Sequence, residues 1–138
     1  MAQRDATHDP ARRSWVASAT ALGAHFPIQN LPLGVFSTDG TAPRCGIAIG
    51  DQVLDLKAAV AAGLVTQQAV AAESLGALMA LGRPASAALR AEVSALLSEG
   101  AATTAPLVPM QAARMHLPTT VRNFSDFMAS YDHCARLG

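Results

Sequence analysis

The stretch Cys45-Gly46-Ile47-Ala48-Ile49-Gly50-Asp51-Gln52-Val53-Leu54-Asp55-Leu56 contains two short apolar runs on either side of the pair Gly50-Asp51. Glycine at the first central position of a two-residue loop suits a type II′ turn, which matches the twist of two antiparallel strands. We therefore predict a β-hairpin with strands over Cys45–Ile49 and Gln52–Leu56. Asp51 is interpreted as a turn residue and not as a catalytic one.

A further strand is predicted before the hairpin, within Phe26–Phe36. Pro27 and Pro32 bias the residues that precede them towards extended conformations. Gly34 permits a close approach of the backbone. We interpret this segment as a strand that is broken by a bend and packed on the core. A loop that reaches a partner domain is the alternative.

Helical patterns follow the hairpin. Asp55 is a suitable N-cap for a short helix over Leu56–Ala62, which Gly63 ends. The apolar spacing then predicts a second helix over Thr66–Leu81. Pro84 opens a third helix at its first turn.

The third predicted helix has one apolar face. Four apolar residues recur at helical spacing and are expected in the core, namely Leu89, Val93, Leu96 and Leu97. The charged residues off that stripe are expected in solvent, namely Arg90, Glu92 and Glu99. This pattern predicts a helix that packs on the sheet by one side.

The remaining ordered positions complete an α+β prediction. Leu107–Met110, with prolines on both sides of its first two residues, resembles an edge strand. Trp15 is expected in the core with its indole N–H bonded to a backbone carbonyl. His116 is interpreted as a surface residue more readily than as a ligand. Strands before and after a helical insertion indicate a small α+β domain.

Composition excludes several functions. The chain has 138 residues, 10 Lys and Arg against 10 Asp and Glu, and 14% charged residues. A net charge of zero attracts neither nucleic acid nor an anionic membrane. No run of about 20 apolar residues is present, so no transmembrane span is expected. Residues 1–14 are polar and are predicted to be a flexible N-terminus without a signal peptide.

Two cysteines, Cys45 and Cys134, are far apart in sequence and form no CxxC pair. A disulfide framework is therefore not expected, and a reducing cytoplasm fits the chain.

The C-terminal end contains the candidate catalytic residues. Ser125 is a suitable N-cap, and a helix over Phe127–Leu137 would place Asp126 and His133 on one face. A carboxylate can bind a metal, and an imidazole can move a proton. The alternative is structural: Asp126 complements a helix N-terminus, and His133 is an ordinary exposed histidine.

Three stretches together resemble one enzyme family. The pattern Ser-Asp-Phe-x-x-Ser-x-x-His-x-x-x-x-Gly over residues 125–138 looks like the start of the catalytic domain of fumarylacetoacetase. Phe26–Phe36 and Ile47–Leu56 resemble the same family in the same order. The resemblance implies an SH3-like β-barrel with a helical insertion over residues 15–116. It also implies the first segment of a β-rich, truncated catalytic domain over residues 117–138.

The resemblance also implies a chemistry. Members of this family hydrolyse a carbon–carbon bond of the β-diketo acid 4-fumarylacetoacetate to fumarate and acetoacetate, the last step of tyrosine and phenylalanine degradation. By position, Asp126 matches a ligand of Ca²⁺ or Mg²⁺ and His133 matches the general base. Met128 stands at a substrate-binding position where the family usually has tyrosine. Because methionine cannot donate that hydrogen bond, this departure from the family pattern indicates a divergent member or a relative with a shifted substrate.

Other ligands and substrate contacts of the family come from sequence beyond residue 138. One aspartate cannot supply six or more calcium ligands. We therefore expect an N-terminal fragment of a cytoplasmic, homodimeric hydrolase that is inactive without its missing catalytic domain. The alternatives are a non-catalytic SH3-like interaction or assembly module, a pseudo-enzyme, or a related acylpyruvate hydrolase or decarboxylase.

Overall fold

The predicted hairpin forms the centre of the sheet. A computed structural model describes residues 5–101, 104–125, 127 and 129–137. Strand β2 is Arg44–Ile49 and strand β3 is Gln52–Asp55, and Ile49 pairs with Gln52 across the two-residue turn. Gly50 has a φ of 57°, whereas Asp51 has no positive φ. A positive φ at the first central residue alone fits the type II′ turn, so the predicted hairpin is confirmed.

Three more strands complete an antiparallel sheet of five strands in the order β4-β3-β2-β1-β5. Strand β1 is Leu33–Ser37, β4 is Leu107–Pro109 and β5 is Arg114–His116. The predicted edge strand is therefore confirmed as β4. The strand predicted within Phe26–Phe36 is confirmed from Leu33 onward, after a turn that includes Leu31 at a φ of 40°.

The sheet is curled but open. Strands β4 and β5 lie at opposite edges, yet only a 3-10 turn at Met110–Ala112 and Ala113 connect them. In a flat sheet of five strands the two edge strands lie about 19 Å apart. A four-residue connection of this kind spans only roughly 13 Å. The edges are therefore drawn towards each other, but they form no pairs in the described residues. The expected closed SH3-like barrel is not formed, although the α+β class is confirmed.

Helices cover one face of the sheet. Helix α1 is Leu56–Ala61, and the Asp55 side chain accepts a hydrogen bond from the backbone N–H of Ala58, so the predicted cap is confirmed. Helix α2 is Gly76–Ala80 and helix α3 is Gly82–Leu97. Leu89, Val93 and Leu97 of α3 are buried, and Leu96 is half-buried, which confirms the apolar stripe.

The core lies between this helical layer and the sheet. Its buried members come from β1, β2, β3, all three helices and the loops that join them: Val16, Ala19, Ile28, Leu31, Val35, Cys45, Ile47, Ile49, Leu54, Leu56, Ala59, Val65, Val70, Leu75, Leu78, Leu89, Val93 and Leu97. Side chains alternate between the two faces of a sheet along each strand. The strand residues between these core positions therefore lie on the opposite face of the sheet, away from the helices.

The helix predicted over Thr66–Leu81 is wrong. The structure has a 3-10 turn at Gln68–Ala71, an irregular stretch, and then α2. The backbone N–H of Leu75 donates to the carbonyl of Pro118 at 2.8 Å, and not to a carbonyl one turn earlier. The break lets Val70 and Leu75 both reach the core.

Two side-chain predictions also need correction. Arg90 is not free in solvent, because its guanidinium donates to Thr7 Oγ1 at 2.8 Å, to the Asn30 carbonyl at 3.0 Å and to the Gln29 carbonyl at 2.5 Å. Glu92 is likewise engaged, since its carboxylate accepts from the backbone N–H of Thr66 at 2.9 Å.

Trp15 also differs from its prediction. Its indole N–H donates to the Leu96 carbonyl at 3.0 Å as expected, but the side chain is 36% exposed and does not fill the core.

The N-terminal segment contacts α3 and the turn that precedes β1. Thr7 is buried within a short 3-10 turn capped by Asp5, and Ser14 forms an isolated antiparallel bridge with Ser98. The sequence predicted a flexible lead-in over residues 1–14, whereas these contacts hold its described part against the domain. The domain boundaries themselves stay predictions.

Candidate functional site

The C-terminal segment contains the residues that were predicted to act in catalysis. Helix α4 is Tyr131–Leu137, and it begins with the Cys134 N–H donating to the Ser130 carbonyl at 3.1 Å. Ser125, Phe127, Ala129 and Ser130 lie outside any helix, so the prediction of a helix from Phe127 is wrong in this part. A helix with little packing around it gains little from propensity alone, and no residue of α4 is buried.

His133 is exposed on α4. Its imidazole is therefore open to solvent and to any group that approaches the helix. Asp126 and Met128, predicted as the metal ligand and the substrate contact, lie outside the described residues. The predicted common face of Asp126 and His133 accordingly stays a prediction.

Metal ligands are not assembled in the part of the chain that the structure describes. No group of three or more His, Cys, Asp or Glu side chains there is arranged to bind a metal ion. The described residues do not by themselves fit Ca²⁺, which takes six to eight oxygen ligands.

A hydrogen bond between a serine and a histidine joins strands β1 and β5. His116 Nε2 lies 2.8 Å from Ser37 Oγ, and Ser37 is buried while His116 is half-buried. The sequence favoured a surface position for His116, and the register of β5 on β1 explains the difference, because Val35 pairs with His116 and Ser37 with Arg114. This contact fastens the edge strand to its neighbour.

An ion pair lies on the other face of the sheet. Arg44 Nε donates to Asp55 Oδ2 at 2.5 Å, and the two side chains are 13% and 11% exposed. The guanidinium carbon lies 4.4 Å from the centre of the Phe36 ring, within the range of a cation–π contact. Asp55 therefore both caps α1 and holds Arg44 over Phe36.

Beside this ion pair is an apolar cavity of about 380 Å³, which we call the sheet cavity. It is lined by Phe26, Pro32, Leu33, Gly34, Phe36, Gly46, Ala48, Val53, Met110, Ala113 and Met115. Small residues make its floor. A Cβ at Gly46 would lie 2.6 Å from Val53 Cγ1 and 2.7 Å from Phe36 Cε1, so a larger residue there would force both side chains to move.

The sequence alone did not predict the sheet cavity. The residues that could have indicated it are the small residues that share one face of strands β1–β3 with Phe36 and Val53. It could be used only once the register was known, because strand pairing decides which of these residues meet on one face.

The structure shifts the pKa of two further side chains, Cys45 and Asp51. Burial raises the pKa of the Cys45 thiol, whose Sγ lies 3.4 Å from the Ala72 carbonyl. The pKa of Asp51 is lowered, first by the hydrogen bond from Ser18 Oγ at 2.5 Å and then by that from Gln52. Asp51 thus fastens the hairpin turn to the N-terminal segment, and the interpretation as a turn residue is confirmed.

Comparison with known proteins identifies the family of the chain. A family model described as Fumarylacetoacetase N-terminal matches residues 29–118, which is more than half of the chain. The matched range runs from the bend before β1 to the residue that accepts a hydrogen bond from Leu75.

Curated relatives agree with this match. The chain is 39% identical to "Fumarylacetoacetase" of Oryza sativa subsp. japonica over 86% of its length. It is 42% identical to "Fumarylacetoacetase" of Caenorhabditis elegans over 82% of its length, and 38% identical to that of Rattus norvegicus over 86%. The chain belongs to the fumarylacetoacetase family. It spans 32%, 30% and 32% of these three relatives, about a third of their length.

No helix in the described ranges is long and apolar enough to span a membrane.

Proposed function

We propose that this chain is the N-terminal part of a fumarylacetoacetase that hydrolyses the carbon–carbon bond of 4-fumarylacetoacetate to fumarate and acetoacetate. The observation that supports the proposal is the family match over residues 29–118, followed in sequence by the Ser125-Asp126-Phe127 motif and His133. The reaction would be the last step of tyrosine and phenylalanine degradation. The complete protein would act in the cytoplasm as a homodimer.

In this proposal His133 is the general base that takes a proton from the attacking water. Its exposure on α4 supports this assignment, because a base must be within reach of its substrate.

Asp126 is proposed as one ligand of Ca²⁺ or Mg²⁺. Such a cation supplies polarisation of the carbonyl and stabilisation of the departing enolate. The other ligands would come from sequence beyond these 138 residues, because the described residues provide no group of ligands. Met128 is proposed beside the substrate, where it offers an apolar contact and no hydrogen bond.

The test compares the chain alone with the chain joined to the catalytic portion of a fumarylacetoacetase relative. Alone, the chain is expected not to hydrolyse the diketone. In the joined protein, Asp126→Ala is expected to weaken metal binding measured by calorimetry. His133→Ala is expected to leave metal affinity nearly unchanged and to slow turnover by about 10²–10⁴-fold, measured by loss of diketone absorbance.

Asp132→Asn is the matched control, because Asp132 is exposed on α4 next to His133. It should alter neither metal affinity nor turnover. Wild-type turnover in His133→Ala would contradict the assignment of the base. A joined protein that binds metal, retains both residues and is inactive would favour the non-catalytic module instead.

A further inference from the structure

The short path from β5 to the C-terminal segment is held at two points, which we call the exit clasp. In the sheet, the His116 imidazole bonds to the Ser37 hydroxyl, with 2.8 Å between Nε2 and Oγ. In the helical layer, the Leu75 backbone N–H donates to the Pro118 carbonyl at 2.8 Å. Only Leu117 lies between the two points in sequence. One held point would leave a pivot, whereas two points on different layers also fix the direction of the chain.

Each point of the exit clasp has a partner that is itself fixed. Ser37 is buried on β1, the strand with which β5 pairs. Leu75 belongs to the core and precedes α2, which has no side-chain cap. Backbone N–H groups at the start of a helix lack a partner within the helix, so the Pro118 carbonyl satisfies a donor of α2. Without this acceptor a buried N–H would be unpaired, which native structures avoid.

A close fit between Gly76 and Thr119 extends the exit clasp by one residue. A Cβ at Gly76 would lie 3.4 Å from Thr119 Oγ1, an ordinary van der Waals distance. A methyl group therefore fits there, whereas a larger side chain would push Thr119 away from α2. Thr119 is half-buried, and every described residue from Thr120 to Leu137 is exposed. Burial of the chain therefore ends at the exit clasp.

The exit clasp lies close in sequence to the candidate catalytic motif. Pro118 has a restricted φ and biases Leu117 towards an extended conformation, which stiffens the path at this point. Seven residues lead from Thr119 to Asp126 and span at most about 25 Å. The exit clasp therefore sets both the region that Asp126 can reach and the direction in which the motif begins.

We propose that the exit clasp positions the candidate catalytic segment, with Ser37, His116 and Leu75 as positioning residues and not as catalytic ones. It connects the packed domain to the start of the segment that contains Asp126 and His133. Displacement of a reacting group by about 1 Å can slow a reaction by about 10²-fold. The effect on catalysis rests on the proposed function, whereas the hold on the segment does not.

Two pairs of substitutions open or keep the two points. His116→Ala removes the imidazole, whereas His116→Gln keeps an amide that can donate to or accept from Ser37 Oγ. Gly76→Val places bulk against Thr119, whereas Gly76→Ala adds only the methyl group that fits. The opened protein combines His116→Ala with Gly76→Val, and the matched control combines His116→Gln with Gly76→Ala.

The first measurement uses the chain as it is and needs no catalysis. Spin labels at Arg83→Cys and Val121→Cys, both exposed positions, report the distance from α3 to the segment by double electron–electron resonance. Cys134→Ser removes the exposed native thiol. The wild-type clasp and the matched control should give one narrow distribution of distances, and the opened protein a clearly broader one. The Leu75 amide should exchange with solvent about tenfold faster or more in the opened protein, while amides within α3 stay protected.

The second measurement is turnover of the diketone by the joined protein. It should fall about tenfold or more in the opened protein and return in the matched control. Circular dichroism verifies that each variant is folded, because a merely structural role would lower stability and leave the turnover of folded protein unchanged. An inactive joined wild type would refute the proposed function, and the spin-label distances would then decide the hold on the segment alone.

Two results would overturn the proposal. One is a distribution of distances that is equally broad in the opened protein and in the matched control. The other is an active joined protein whose turnover is the same with the clasp opened. Ser37→Ala, which removes one hydroxyl from the clasp, replaces the opened protein in both measurements if the latter does not fold.

Discussion

Replacing Arg90 by alanine should release the N-terminal segment and destabilise the domain. The Arg90 guanidinium makes three hydrogen bonds, to Thr7 Oγ1 and to the carbonyls of Gln29 and Asn30. Charge-assisted hydrogen bonds contribute about 1.5–3 kcal/mol each, but Asn30 is exposed and Gln29 only half-buried, so water replaces part of the loss. We expect the free energy of unfolding to fall by about 2–4 kcal/mol.

The assay is urea unfolding followed by Trp15 fluorescence and by far-ultraviolet circular dichroism. Trp15 is bonded to α3 through the Leu96 carbonyl and so reports on the N-terminal segment. Arg90→Lys keeps the charge but not the planar set of donors, so its loss should be intermediate. Arg83→Ala, an exposed position on the same helix, is the control and should change stability by less than about 0.5 kcal/mol. An equally small effect of Arg90→Ala would refute the reasoning.

Three other results are expected from the structure. Leu97→Ala should cost about 2–5 kcal/mol in urea unfolding, and Leu96→Ala clearly less, because Leu97 is 0% exposed and Leu96 is half-buried; equal losses would contradict this burial. Ser94→Ala should raise stability slightly, by up to about 1 kcal/mol, because the buried Ser94 Oγ has no hydrogen-bond partner in the described residues; a clear loss would refute it. The pKa of Asp51 is depressed in the folded state, so its stabilising effect is present above its unfolded value near 3.8 and is lost as pH falls through the folded pKa. Ser18→Ala should therefore flatten the acid side of a stability–pH curve, and an unchanged curve would exclude this contact.

The parts of the fold that were predicted correctly depend on residues close in sequence. The two-residue turn at Gly50-Asp51 and the Asp55 cap are both local, and the spacing of Leu89 and Val93 in α3 is periodic. Each of these follows from backbone geometry and can be recognised without knowing the rest of the chain.

The errors arose where a distant residue supplies the hydrogen bond. Leu75 donates to Pro118, which breaks the predicted helix, and Arg90 binds Thr7 from the other end of the domain. No periodicity reveals such partners. The candidate site has the same limit: Asp126 and His133 can be proposed from a motif, but no group of three or more possible metal ligands comes together in the part of the chain that the structure describes.

The short connection between β4 and β5 has a consequence for how the domain folds. The two outer strands of the sheet are made from residues 107–116, after all other strands and α1–α3 have been synthesised. A nascent or prematurely ended chain that lacks them exposes β3 and β1 at the same time, each with unpaired backbone groups that invite pairing with another chain. Because only four residues connect them, β4 and β5 should dock together in one late step that forms long-range contacts. Both edge strands are then added to the sheet at the same time.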